Sequence, residues 1–138
     1  MRAVLAIARA GGTKPMQIQE LSRLEEIPVK FLEQILLIMK RAGLLRSKRG
    51  IGGGYQLDRL PEEITLGEIV TLIDGAFAPL SITPADNEKA PPGLRAEEQG
   101  LYQCFSELQN LVSEHLDKHT LKDILDNERP SSVLAFDI

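Results

Sequence analysis

Basic side chains stand directly before a run of glycines in one short stretch of the chain, Arg46–Leu57. Glycine permits backbone angles that are closed to other residues. The residues after the glycines alternate, with Tyr55 and Leu57 on one face and Gln56 on the other, which is typical of a short strand. The stretch therefore predicts a two-stranded hairpin with a basic tip, a shape that fits a groove or a row of phosphates.

The side chains of this hairpin suit binding to a polyanion. Three basic residues flank its tip, namely Arg46, Lys48 and Arg49. They can meet phosphates, and the alternative is a solvated run of charge. Gly52 and Gly53 are expected to serve backbone geometry and close approach, and Tyr55 to anchor the hairpin and offer its hydroxyl to a phosphate. Because a strand follows the glycines, they lack the context of a dinucleotide-binding or P-loop motif.

The helix that precedes the hairpin has, near its N-terminus, four residues that could contact base edges in a DNA groove. They are Lys30, Phe31, Glu33 and Gln34. Lysine can reach a guanine edge or a phosphate, glutamate can accept from cytosine N4, and glutamine can pair with adenine. Two alternatives stay open: Phe31 also suits the apolar face of its helix, and Glu33 can pair with a nearby cation. A glutamate on a basic surface weakens phosphate binding, so base readout explains its presence better.

Hydrophobic spacing in the first half of the chain predicts three helices and a hairpin. The predicted bounds are residues 1–10, 16–23 and 29–42 for the helices, and 44–47 and 55–57 for the strands. Pro28 suits the first position of the third helix, Gly43 caps that helix, and glycines from position 11 stop the first. Two helices joined by a tight turn form a helix-turn-helix, and the hairpin makes it a winged one.

The second half predicts a helix, a long loop, a long helix and a short terminal helix. The bounds are 65–75 for a helix capped by Thr65 and Glu68, 76–100 for the loop, 97–118 for the long helix, and 121–125 for a short helix capped by Thr120. The long helix carries one apolar stripe, made of Leu101, Phe105, Leu108, Leu111 or Val112, and His115 or Leu116.

The predicted class is mainly α, a winged helix-turn-helix domain with a small β-hairpin wing and a long C-terminal helix. Its predicted domains are a DNA-binding domain at 1–60, a linking helix and effector loop at 61–100, a long helix with a short terminal helix at 101–126, and a tail at 127–138.

Charge is divided between the two halves of the chain. Residues 1–59 hold 11 Lys/Arg and 5 Asp/Glu, a balance of +6, whereas the rest hold 5 and 15, a balance of -10. This asymmetry is expected of a nucleic-acid-binding module with a separate assembly part, and the alternative is chance clustering on solvated faces. A single cysteine, no leader and no bilayer-length apolar run predict a cytoplasmic protein without membrane association.

Four segments combine into a specific pattern, and they are Ile27–Leu36, Arg41–Ser47, Arg49–Tyr55 and Ile64–Leu66. A Leu-Glu-Gln recognition helix followed by an Arg-Gly-x-Gly-Gly-Gly-Tyr wing resembles the Rrf2 family of bacterial winged-helix transcription regulators. The resemblance implies a homodimer whose long helices pair and whose recognition helices read a palindromic operator in double-stranded DNA. It also places positions 30, 31 and 33 in the major groove and Arg49 in the minor groove.

The chain departs from this family in its start, wing and loop. The N-terminus is shorter, and Ile51 stands where members usually have proline. Iron–sulfur members carry cysteines in the loop and at the start of the long helix, but residues 76–100 hold no cysteine or histidine, and Gln99 falls at the last of those positions. The resemblance is therefore to the cluster-free, cysteine-metabolism-repressor branch, which is controlled by a metabolite or partner enzyme. No cofactor or metal is expected.

The sequence thus predicts a sequence-specific transcriptional regulator, a homodimeric repressor, and not an enzyme, since no nucleophile–base pair is recognisable. Two other classes stay open. One is a redox-sensing regulator that binds an iron–sulfur cluster through atypical ligands, such as Asp86, Glu88 or Glu97 with Cys104. The other is a protein-interaction adaptor that retains the fold without DNA binding.

The thiol and imidazole groups each have a plain structural interpretation. Cys104 is expected to be a small apolar residue near the dimer seam, since nothing basic lies near it to activate a thiol. His115 and His119 are four residues apart, a spacing that can bind metal, but no metal-binding motif surrounds them. Neither feature changes the prediction of a DNA-binding regulator.

Overall fold

The computed structural model describes residues 1–11, 14–75 and 93–128. In chain order its elements are α1 (Arg2–Arg9), α2 (Ile18–Glu25), α3 (Val29–Arg41), β1 (Leu45–Lys48), β2 (Gly54–Leu57), a 3-10 turn (Pro61–Glu63), α4 (Leu66–Asp74), α5 (Ala96–Lys118) and α6 (Leu121–Asp126). Two compact units are formed, Met1–Ile64 with Thr120–Ile138, and Thr65–His119. The predicted class, mainly helical with a small hairpin and a long C-terminal helix, is confirmed.

The first unit is built on a helix-turn-helix made of α2 and α3. Leu21 of α2 and Leu32 of α3 are fully buried where these helices pack. Two hydrogen bonds close the turn: the Ile27 amide donates to the Ser22 carbonyl (3.1 Å), and the Ser22 hydroxyl donates to the Ile27 carbonyl (2.6 Å). Glu26 takes a left-handed backbone (φ 54), which non-glycine residues seldom adopt. These contacts fix the direction in which α3 leaves the turn.

A Schellman motif ends α3 and turns the chain into β1. The Leu44 amide donates to the Met39 carbonyl (3.0 Å), and the Gly43 amide donates to the Lys40 carbonyl (3.1 Å). Gly43 has a φ of 78, which suits glycine. Leu44 and Met39 are both fully buried and supply the apolar contact that accompanies this motif. The predicted glycine cap is confirmed, and it joins the recognition helix directly to the wing.

The wing consists of β1 and β2, which pair antiparallel along their whole lengths. Met16 adds a third, one-residue bridge on the other side of β2, since Met16 and Tyr55 exchange two backbone hydrogen bonds of 2.8 Å. A side chain at Gly54 would collide with the Met16 carbonyl, and the φ of 143 at Gly54 is essentially restricted to glycine. The wing is therefore attached to the segment before α2 at a point where the backbones approach closely.

The short helix α6 belongs to the first unit. Leu121 is fully buried, and its amide donates to the Ile64 carbonyl (2.9 Å). Arg9 Nε donates to Glu128 Oε2 (2.8 Å), and this hydrogen bond raises the pKa of Arg9 and lowers the pKa of Glu128. Because the carboxyl pKa is lowered, the contact stabilises the fold near neutral pH and is lost as the pH falls through that pKa. The structure thus packs α6 on α1, whereas the sequence grouped it with the long helix.

The second unit pairs α4 with α5. The Thr65 hydroxyl accepts from the Glu68 amide (3.1 Å), which confirms the predicted N-cap of α4. A side chain at Gly67 would run into Asp117, so the missing Cβ lets α4 and α5 approach closely. The Leu66 amide also donates to the His119 carbonyl (2.8 Å). Backbone and packing contacts therefore join the two helices at the end of α5.

The long helix α5 has two apolar faces where the sequence predicted one stripe. Positions 102, 105, 109, 112 and 116 are buried or half-buried. The exposed face follows alternating steps of three and four residues, and it comprises Leu101, Cys104, Leu108, Leu111 and His115. These steps are those of the a and d positions in a coiled coil. We call this exposed set the α5 seam.

Three sequence predictions are corrected. Met16 forms the bridge to the wing and does not begin α2. Pro28 is the N-cap of α3, because its extended ψ of 137 keeps it outside the helix. Leu24, which its helical spacing from Ile18 and Leu21 offers as a further inward-facing residue of α2, is 56% exposed. The predicted loop at 76–92 and the tail at 129–138 lie outside the described residues.

We expect Gly54→Ala to destabilise the protein by about 2–4 kcal/mol, because it adds backbone strain and a collision with the Met16 carbonyl. Gly52→Ala is the matched control: Gly52 also has a positive φ (74), but nothing lies within 4 Å of its Cβ position. The control should lose only about 1 kcal/mol. Urea unfolding followed by circular dichroism measures both, and equal losses would show that the Met16 contact contributes nothing.

Candidate nucleic-acid interface

The recognition helix α3 separates a buried face from an exposed one. Leu32, Leu36 and Met39 are fully buried and hold the helix on the core of its unit. The four predicted groove-facing residues, Lys30, Phe31, Glu33 and Gln34, are all exposed in the first two turns. The structure therefore brings these four side chains to one end of one surface.

The two alternatives left open by the sequence have structural answers. Phe31 is 57% exposed, so it is a surface residue and not part of the core. The side chain of Glu33 makes no hydrogen bond or ion pair within the part of the chain that the structure describes, and neither does that of Lys30 or Gln34. Their polar groups are consequently available to a partner.

The wing residues differ in how strongly the protein holds them. At the base, Arg46 Nε lies 4.0 Å from Asp58 Oδ1, and its Nη2 donates to Gln56 (2.7 Å) when the amide oxygen faces the guanidinium. Near the tip, Lys48 and Arg49 are exposed, and their side chains have no ion-pair or hydrogen-bond partner among the described residues. Positive charge therefore becomes less neutralised by the protein toward the tip.

The glycines and Tyr55 build the wing backbone. Gly52 is exposed at the tip, whereas Gly53 is buried, and a side chain at Gly53 would meet the Lys48 carbonyl and, at 2.9 Å, the Gly50 carbonyl. Tyr55 is half-buried and its backbone carries the Met16 bridge. These placements agree with the predicted roles in backbone geometry and anchoring.

Two contacts that the sequence did not reveal connect the recognition helix with the wing. Lys40 Nζ, in the last turn of α3, donates to Ser47 Oγ on β1 (2.6 Å). Leu45 of β1 is buried where α3 and β1 pack. Both predicted sets of DNA-facing residues therefore lie in one compact unit. The only sequence signal for the hydrogen bond was the polar pair at positions 40 and 47, which has no periodic signature.

The residues do not fit an iron–sulfur cluster held by several cysteines of one chain. Such clusters are usually held by four cysteine thiolates, and the chain has a single cysteine. Cys104 is exposed on α5, and Glu97 lies two turns away, about 10 Å along the helix axis. In the described ranges no three His, Cys, Asp or Glu residues are grouped as metal ligands. The other atypical ligands considered above, Asp86 and Glu88, lie outside those ranges.

His115 and His119 form a tilted ring pair at the C-terminal end of α5. Their ring centroids are 4.3 Å apart, and His119 Nδ1 lies 2.7 Å from the His115 carbonyl oxygen. This contact satisfies the end of α5, since carbonyls in the last turn of a helix lack partners. The pair has a structural explanation at the C-terminus of the helix.

A helix-turn-helix with an exposed polar face, followed by a basic wing, defines a winged-helix DNA-binding protein. Comparison with known proteins agrees with this class. The family model described as Rrf2, iron-dependent transcriptional regulator, matches residues 1–127, and the chain belongs to this family. It is a DNA-binding transcriptional regulator and not an enzyme.

The relatives match the chain over most of its length. The regulator CymR of Bacillus subtilis is 27% identical over 88% of this chain and 80% of its own. A putative rrf2-like regulator of Rhodobacter capsulatus is 30% identical over 99% of this chain and 94% of its own. The solved structure of CymR, described as the global cysteine regulator of B. subtilis, has a TM-score of 0.73 at 25% identity and covers 91% of this chain and 89% of its own.

Arg49→Ala and Glu33→Ala should weaken DNA binding in different ways. Loss of Arg49 removes a cation, so affinity should fall on specific and random duplexes alike, and the slope of log K against log salt should decrease by about one per protomer. Loss of Glu33 removes a base acceptor, so the preference for specific over random DNA should fall while nonspecific affinity holds or rises.

Fluorescence anisotropy across a salt series measures both quantities. Lys122→Ala is the matched control for Arg49, because Lys122 is an exposed cation on α6 that pairs with Asp126 (2.7 Å). An unchanged salt slope for Arg49→Ala would remove the phosphate or groove contact. Equal losses on both kinds of DNA for Glu33→Ala would remove its role in base readout.

Proposed function

We propose that the protein is a homodimeric, cytoplasmic repressor that reads a palindromic operator. The recognition helix supplies base readout through Lys30, Phe31, Glu33 and Gln34. The wing supplies backbone and minor-groove contacts through Arg46, Lys48, Arg49 and Tyr55, while Gly52 and Gly53 give its tip the backbone geometry for close approach. One observation carries the DNA-binding surface: the polar groups at the start of α3 and near the wing tip have no partners among the described residues, although they belong to one compact unit.

The α5 seam supports the homodimer. Leu101, Leu108 and Leu111 are 55%, 44% and 65% exposed on a 23-residue helix. Apolar residues at a and d spacing are buried when two such helices pair. A second copy of the chain offers the same seam, so a two-fold pair would bury both at once. Two recognition helices related by a two-fold axis read a palindrome.

The proposed division of labour follows the predicted domains. Residues 1–60 bind DNA, residues 61–100 link this part to the long helix, and residues 101–126 supply the dimer helix together with α6. The effector response predicted for residues 61–100 is assigned instead to a cavity lined by residues between Ala8 and Glu63. The contacts of α6 with α1 add a second role, because α6 then also braces the DNA-binding unit.

Selection from a library of random duplexes tests the proposal. The wild-type protein should enrich an inverted repeat whose half-sites are separated by about one or two helical turns. Enrichment of a single, unrepeated half-site would contradict the proposal that a homodimer binds a palindromic operator. Failure to enrich any sequence would favour a protein-interaction adaptor that has retained the fold.

Leu108→Glu tests the α5 seam directly. A charge in the middle of the seam should produce monomers in sedimentation analysis and weaken binding to the selected repeat about 100-fold or more, because the two half-sites no longer act together. Asn110→Glu is the matched control, since it adds the same charge at an exposed position on the side of α5 away from the seam. Dimers that persist in Leu108→Glu would show that another surface pairs the chains.

A cavity at the base of the wing supports control by a small metabolite. Its volume is about 440 Å³, and its lining includes two guanidinium groups, two carboxylates and an apolar floor, contributed by Arg46, Arg59, Asp58, Glu63, Leu57 and Leu60. Opposite charges around an apolar floor suit a zwitterion with a short side chain, such as an amino acid. CymR is described as a cysteine regulator, which places sulfur amino acids and their precursors first among the ligands to test.

An amino acid that binds this cavity should change the affinity for the selected duplex by about 5-fold or more. Arg59→Ala should abolish that change and leave the affinity without ligand unaltered, because Arg59 is outside the proposed DNA-binding set. Anisotropy titrations with and without each amino acid measure the effect. A response that survives in Arg59→Ala would place the ligand elsewhere, and no response to any of them would point to control by a partner protein.

A further inference from the structure

Ile51 is the most exposed large apolar residue of the described chain, with a relative exposure of 107%. Single exposed apolar residues are common on protein surfaces, so exposure alone decides nothing. The position of Ile51 is more informative. Ile51 occupies the outermost turn of the wing, next in sequence to the Lys48–Arg49 pair and Gly50, and no apolar neighbour buries it.

The backbone around Ile51 presents this one side chain and no other. The Gly53 amide donates to the Gly50 carbonyl (3.0 Å), which closes a turn over Gly50–Gly53. Gly52, in the third position, has a φ of 74, as a type II turn requires. Ile51 therefore fills the second position of the turn, with glycines on both sides. The tip is a backbone turn that carries a single side chain, the sec-butyl group of Ile51.

This shape matches the minor groove of DNA. The groove is about 6 Å wide, so it admits a thin hairpin but not a helix. Proteins that bind there combine arginine or lysine with an apolar wedge, which enters between base pairs and partly unstacks them. Lys48 and Arg49 supply the unpaired cations beside the tip. Gly52–Gly54 remove the side chains that would prevent the approach.

The attachment of the wing gives the tip the stiffness that a wedge needs. Unstacking a base step costs free energy, and a flexible loop would bend away instead. Here β2 is hydrogen-bonded along one edge to β1 and along the other edge to Met16, through the Met16–Tyr55 bridge. Force on the tip is therefore transmitted to the helix-turn-helix unit.

We propose that Ile51 is an apolar wedge that enters the minor groove beside each half-site and selects for an easily unstacked pyrimidine–purine step at that position. This inference rests on the proposed DNA-binding function and adds a source of sequence preference that uses no hydrogen bond. The selectivity arises because pyrimidine–purine steps, TA and CA/TG, deform at lower cost than other steps.

The experiment uses the duplex selected by the wild-type full-length chain, with 2-aminopurine placed in turn at each step flanking the half-sites. Wild-type protein should raise the 2-aminopurine fluorescence at one flanking step, and replacing the TA or CA step there should weaken binding. Ile51→Ala should abolish the fluorescence rise, lose the step preference and reduce affinity by roughly 10-fold. Ile51→Leu should retain all three properties, because it keeps an apolar wedge.

Two controls separate the possible failures. Ile51→Ala should leave the salt slope unchanged, whereas Arg49→Ala lowers it, which distinguishes an apolar contact from an electrostatic one. If the wild-type chain binds no duplex, the proposed function fails and the wedge fails with it. If the wild-type chain binds its duplex but Ile51→Ala keeps the same affinity, step preference and fluorescence, the wedge alone is overturned.

Discussion

Two backbone hydrogen bonds between Met16 and Tyr55 determine where the wing lies, and they exist because residue 54 has no side chain. The other strand of the wing begins one residue after the Schellman motif that ends α3. The hairpin is thus anchored at both strands, once to the recognition helix and once to the segment that enters the helix-turn-helix. Its direction is set by main-chain geometry and not by the side chains on its surface.

This arrangement leaves the side chains near the DNA-facing ends free for binding. Buried aliphatic residues and backbone bonds provide the positioning, so Lys48 and Arg49 need no partner within the described protein to hold the wing in place. Arg46 at the base is different, because Gln56 and Asp58 already hold it. Leaving a surface cation without an ion-pair partner costs little stability in water. The same cation favours DNA binding, because its contact with a phosphate releases counterions from the DNA. Along the wing the cations therefore change from paired at the base to unpaired at the tip, and this gradient supports the proposal that the tip contributes most to DNA binding.

The sequence predicted the elements whose signals are local. Gly43, Thr65 and Thr120 end or begin helices through contacts within four or five residues, and all three caps are present in the structure. The helix-turn-helix and the hairpin follow from such signals together with periodicity. The family resemblance then added the class of function, which composition alone could not give.

The features that sequence missed depend on non-local contacts or on small differences in period. Met16 forms a one-residue bridge to a position 39 residues later, which leaves no alternating pattern to detect. The stripe on α5 was read as one face because Phe105 and Leu108 are three residues apart, yet the structure assigns them to different sides. Helix α5 is apolar on two faces. The sequence of α5 alone does not show which face is buried, because that depends on where α4 packs against it.

Sequence preference in this protein has to be separated from total affinity. The basic residues of the first half attract any duplex, and an added cation raises specific and nonspecific binding together. In the proposed interface Glu33 would act in the opposite direction, since a carboxylate repels phosphates everywhere and is compensated only where it accepts a hydrogen bond from a base. An acidic residue among basic ones thus lowers nonspecific binding more than specific binding. Because a genome offers a vast excess of nonspecific sites, that difference matters more to a regulator than the affinity it gives up.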